Sequence, residues 1–146
     1  MTTDINMEQL QKDAVDIFHS GFACSESIIY AIKKNFELDM SDDAIAMSSG
    51  FPWGLGGGGC ICGALAGGTM CIGYFFGRST PGDKKINRCF ALTNELHDYF
   101  KAACGGTCCR VLTQGMERNS PERKAQCTQF VADTVKKVAE IIIREL

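Results

Sequence analysis

The residues best suited to chemistry in this chain are its nine cysteines, at positions 24, 60, 62, 71, 89, 104, 108, 109 and 127 of 146. Two of them interrupt a run of small residues, "GGGGCICGALAGG", at 56–68. A thiolate ligates soft metals and clusters, and it is also the nucleophile of disulfide exchange. Nine is odd, so complete intramolecular disulfide pairing is impossible. The opening "MTTDINMEQLQKDAVDIF" has no basic stretch followed by an apolar one, so no signal peptide is expected. The expected compartment is therefore the reducing cytoplasm, where cysteines more often serve metal or redox chemistry than bridges.

Spacing removes several specific chemistries. No C-x-x-C is present, which argues against a zinc ribbon or a thioredoxin-type dithiol. No C-x-x-C-H is present, so covalent haem is not expected, and the C-x₂-C-x₂-C run of bacterial ferredoxins is missing. The glycine loop lacks G-K-[ST] and follows no strand, so neither a P-loop nor a dinucleotide fingerprint has its context. Any metal site must be assembled by the fold from distant residues.

The elements that would do so read as helices. Ile5, Leu10, Ala14 and Ile17 share one side of a segment over 4–18, with Asp4 as N-cap. Cys24, Ile28, Ile32 and Phe36 repeat at helical spacing. Ser41, Asp42 and Asp43 open a third helix, with acids at the positive end of its dipole. "SSGFPWGLGGGG" reads as an irregular loop, followed by a helix from about Cys62 to Phe76. Ile86, Cys89, Phe90, Thr93, Leu96 and Phe100 mark a fifth helix. Thr107 is the expected cap of a short helix through Leu112. Ser120, Pro121 and Glu122 start the last helix, with Cys127, Phe130, Thr134, Val138, Ile141 and Ile142 inward. No period-2 run reads as a strand. The expectation is an all-α, single-domain bundle of about six helices over 1–146. No charged residue lies between Asp43 and Arg78, but Pro52 and the glycines break that interval, so a membrane span is not expected.

Against this frame, Cys24, Cys62, the Cys108–Cys109 pair and Cys127 all fall near helix N-termini. Free N–H groups and the helix dipole there favour thiolates and bound anions, and should lower thiol pKa values. Cys71 and Cys89 sit mid-helix and read as core packing. Cys60 and Cys104, beside glycines in turns, are open either way. Cys108 and Cys109 point about 100° apart, so only one of them is expected to serve a given centre. Gly63, Gly67, Gly68, Gly73 and Gly77 cost helix propensity of about 1 kcal/mol each, which close packing or access to a bound group must offset. His19 and His97 read as structural, His97 on the apolar side of its helix. Trp53, beside Pro52, reads as packing, with the gate of a pocket as the alternative. The formal charge of −2 gives no basic patch for nucleic acid.

Cys24 in "GFACSESI", "CGALAG" from Cys62, "CRVL" from Cys109 and Cys127 in "CTQFV" together resemble the C_GCAxxG_C_C family of proteins described as redox-active. The resemblance covers about residues 18 to 140. A related segment occurs in split-Soret cytochromes beside their haems, where there is a non-haem iron centre; this chain resembles only that part. It departs from the pattern in its surplus cysteines, and Cys60 or Cys108 are alternatives to Cys62 or Cys109. The resemblance implies redox chemistry with an iron–sulfur cluster; the expected ligands are Cys24, Cys62, Cys109 and Cys127, with Gly59, Gly63 and Gly67 beside the cofactor. Electron transfer with a redox partner protein, or redox sensing, would follow, and a homo-oligomer stays open. The alternatives are a metal-free thiol–disulfide protein and a structural zinc module.

Overall fold

The structure is a computed structural model describing residues 1–146. Eight helical segments occur, with no strand. Six are helices of five residues or more: α1 (Met7–His19), α2 (Cys24–Asn35), α3 (Asp43–Met47), α5 (Gly63–Phe76), α6 (Lys85–Cys104) and α8 (Pro121–Glu145). Two are single turns, α4 (Pro52–Leu55) and α7 (Cys109–Leu112). The expected all-α bundle is therefore found. No helix is long and apolar enough to cross a membrane.

α5 is the centre. It packs against α2, α6 and α8, while α1 lies across α2 and α8. Its sequence is apolar nearly all round, as a helix enclosed by others must be, and nine of its 14 residues are buried. Small residues let its neighbours close in. A Cβ on Gly67 would stand 2.6 Å from the Ser25 carbonyl oxygen, so α2 crosses there backbone to backbone. A Cβ on Gly68 would meet Val138 Cγ2 at 2.9 Å and Leu96 Cδ2 at 3.1 Å. Close packing thus offsets the glycines' cost at these two positions. A single core of 26 buried residues results, with Leu10, Ile32, Phe36, Ile72, Leu96, Phe100 and Ile141 fully enclosed.

Side chains cap the first and last helices. Ser120 Oγ accepts from the Arg123 N–H at 3.1 Å, and Pro121 occupies the first turn. Asp42, not the expected Ser41, is the N-cap of α3, and Ser41 Oγ, one residue ahead of it, accepts from the Asp43 N–H. Two further caps differ from expectation. Asn6, not Asp4, caps α1, its Oδ1 accepting from the Gln9 N–H at 3.0 Å. The Asp4 N–H is held instead by Thr2 Oγ1 in the preceding turn. Cys108, not Thr107, caps α7: the Cys108 carbonyl accepts from the Val111 and Leu112 N–H groups, while the Thr107 carbonyl is taken by the Cys62 N–H.

Two side chains of α6 also depart from expectation. Phe90 is 64% exposed, and the buried stripe runs Leu92, Leu96, Phe100. Phe90 lies about 100° around the helix from Cys89, which packs against the core. His97 is half-exposed and pairs with Asp98 at 3.0 Å, off the apolar side.

Candidate functional site

Each of the four expected ligand cysteines starts from a different segment. Cys24 opens α2, where the Glu26 carboxylate accepts from the Ala23 N–H at 2.8 Å and fixes the first turn. Ser25 Oγ, donating to the Ser48 carbonyl, ties the same turn to the segment after α3. Cys62 is the N-cap of α5, in extended conformation. Cys109 opens α7, and Cys127 lies in the second turn of α8.

What joins the loops before α5 and α7 is a short two-strand-like link. The Cys62 N–H donates to Thr107 O and the Arg110 N–H to Gly59 O, both at 2.8 Å. Between them Cys60 and Cys108 form a disulfide, their Cα atoms 4.2 Å apart. Cys62 and Cys109 flank this bridge, one on each side. Neither Cys60 nor Cys108 is a free thiol in this structure, and the sequence reading did not pair them.

The four thiols fall within electrostatic reach of one another. As thiolates, Cys62, Cys127 and Cys109 each push the Cys24 thiol up, and Cys127 and Cys109 act likewise on Cys62. Cys109 does the same to Cys127. Cys62 is buried and the other three half-buried. Gly63 makes room: a Cβ there would stand 2.4 Å from Cys24 Sγ. Backbone N–H groups of Ala64 and Leu65 favour the Cys62 thiolate, and that of Ser25 favours the Cys24 thiolate. Arg123 Nη2 donates to Cys109 Sγ at 3.0 Å and its charge favours the Cys127 thiolate.

These donors do not lower the thiol pKa values as expected. Burial is the larger effect and pushes Cys24 and Cys62 up to about 12, against an ordinary 9.0. Cys127 is raised for the same reason, partly offset by Arg123. Placement at a helix N-terminus helps a thiolate, but removing it from water costs more.

The donor set can be tested against an iron–sulfur cluster on this geometry. Four free thiols lie within electrostatic reach of one another, backbone N–H groups favour the thiolates of Cys24 and Cys62, and Gly63 clears space beside Cys24. No three His, Cys, Asp or Glu side chains are spaced to hold one metal ion. Four thiolates are the ligand number of an iron–sulfur cluster and equally of a zinc site.

The other expected residues fall elsewhere. Gly67 lies under the α2 backbone and Gly59 against Arg110, whose Cβ a Gly59 Cβ would meet at 2.9 Å. Cys71 is buried and burial pushes it up to about 12; Cys104 ends α6 and is raised to about 11. His19 meets Thr128 Oγ1 at 2.9 Å. Sequence reasoning missed Arg123 beside Cys109. Its only sequence signal is a place one helical turn before Cys127, which does not show that α7 packs there.

The family described as "Putative redox-active protein (C_GCAxxG_C_C)" matches residues 22–141. An uncharacterised protein of Archaeoglobus fulgidus is 22% identical over 135 residues, 88% of this chain and 89% of that one. No solved structure matches.

Proposed function

The chain belongs to the C_GCAxxG_C_C family of redox-active proteins, and from that premise we propose that Cys24, Cys62, Cys109 and Cys127 hold an iron–sulfur cluster. When bound, such a group supplies one-electron chemistry, used either to exchange electrons with a partner protein or to sense redox state. The observation that carries the reading is the convergence of four free thiols from four segments. The chain's own residues do the rest. Backbone N–H groups at the α2 and α5 N-termini favour negative charge on Cys24 and Cys62, and Arg123 brings positive charge to Cys109. All three act to stabilise added negative charge, which raises a potential. Burial disfavours free thiolates at Cys24 and Cys62, so these groups gain most from a positive centre that shares their charge.

A second reading, thiol–disulfide exchange without metal, draws on the Cys60–Cys108 disulfide beside Cys62 and Cys109. The upward shift of the buried thiols weighs against them as its nucleophiles.

Serine substitutions separate the readings. In protein purified without oxygen, Cys62→Ser and Cys127→Ser should each lose bound iron and visible absorption, while Cys89→Ser keeps both. Unchanged iron and spectrum in Cys62→Ser would sink the assignment.

A further inference from the structure

A cavity of about 300 Å³ opens beside Cys109, walled by Trp53, the 57–59 glycine run and three arginines, Arg110, Arg118 and Arg123. That volume is at the small end for small-molecule sites. No carboxylate lines it. The chain's ion pairs engage Lys12, Lys33, Lys34, Arg88, His97, Lys137 and Arg144, and none of the three cavity arginines. Three uncompensated guanidinium groups therefore meet in one hollow of a chain whose formal net charge is −2.

These groups are also held in place. The guanidinium carbons of Arg118 and Arg123 lie over the Trp53 ring at 4.1 and 3.9 Å. Contact with an aromatic face fixes a long side chain before a ligand arrives and reduces the entropy lost on binding. Trp53 itself takes a left-handed backbone conformation, φ 63°, unusual for a bulky residue, and this turn sets its ring in the cavity wall. Gly57 and Gly59 have φ of 105° and 92°, so the opposite wall is backbone without side chains. The Arg110 backbone is fixed by its N–H bond to Gly59 O, and its side chain runs along Gly59, whose added Cβ would stand 2.9 Å from Arg110 Cβ and 3.6 Å from its Nε.

We propose that this cavity binds a small oxyanion, a phosphate- or carboxylate-bearing molecule, through Arg110 and Arg118, with Arg123 bridging the anion and the Cys109 sulfur. A planar guanidinium matches either oxyanion with paired N–H donors, which a lysine does not. Binding needs these side chains and not a cluster, so it stands or falls separately from the cluster assignment.

Trp53 is the chain's single tryptophan, so its fluorescence reports the cavity. The test titrates inorganic phosphate and, separately, succinate into protein isolated without oxygen, at constant ionic strength, with sodium chloride as control. The titration is repeated after chelation of any iron. A saturable response to phosphate or succinate is expected, weakened about tenfold or more in Arg110→Gln and Arg118→Gln by calorimetry. The tighter of the two anions identifies the ligand's headgroup. Should a glutamine variant not fold, Arg110→Lys keeps the charge without the fork and should still weaken binding. A response equal to that of chloride, or variants that bind as the parent does, would overturn the proposal.

Discussion

At Cys62 two opposing effects meet. Backbone N–H groups of Ala64 and Leu65 favour the thiolate, and burial favours the thiol; burial wins, and the group rises to about 12. Cys24 behaves alike. In the folded, metal-free protein at pH 8, both thiols are then held protonated. Iodoacetamide should therefore label Cys24 and Cys62 far more slowly in the folded metal-free protein than in the urea-unfolded chain. Rapid labelling of both in the folded state, followed by mass spectrometry, would restore the low-pKa expectation and favour metal-free thiol exchange. The sequence places these cysteines at helix starts correctly, because a helix start is local. It does not reveal how much water the finished bundle removes, because that depends on Pro52, α7 and α8, all distant along the chain.

At the scale of elements, the crossing of α2 over α5 decides how close Cys24 comes to Cys62. Gly67 is the contact point, with no room for a Cβ beside Ser25 O. Gly67→Ala should lower stability by about 1–3 kcal/mol in urea titration. Gly73, on the same helix, has nothing within 4 Å of an added Cβ. Gly73→Ala should raise stability by about 0.5–1 kcal/mol, since alanine is the better helix former. Equal effects of the two substitutions would contradict this account of the glycines. The helices themselves are legible from periodicity and caps, as Ser120 and Pro121 show. The turn at Trp53, the Cys60–Cys108 link and the meeting of Arg110, Arg118 and Arg123 are not legible. The link and the arginines arise from segments brought together only by the bundle, and the Trp53 turn puts a bulky residue in a left-handed conformation that its side chain does not announce.

Across the whole molecule, α6 and α8 are tied at the surface by Glu95. Its carboxylate accepts two hydrogen bonds from Arg144, at 2.9 and 2.7 Å, and meets Lys137 Nζ at 3.1 Å. The hydrogen bonds from Arg144, with the adjoining Lys137, hold it near pKa 2, below its ordinary 4.5. A carboxylate with a depressed folded-state pKa stabilises the fold above about pH 4.5, and that contribution fades as pH falls toward 2. Glu95→Gln should therefore be less stable than the parent at pH 7, with the gap closing between about pH 4.5 and 2 in thermal melts. A gap constant with pH would assign the loss to packing instead of charge.

The central claim concerns what the four gathered thiols hold, and one measurement reaches it directly. Iron and acid-labile sulfide are assayed in protein purified without oxygen, and its visible spectrum is taken before and after dithionite. Iron together with sulfide, and absorbance that bleaches on reduction, is the predicted result. Colourless protein with neither iron nor sulfide, kept anaerobic throughout, would contradict the cluster.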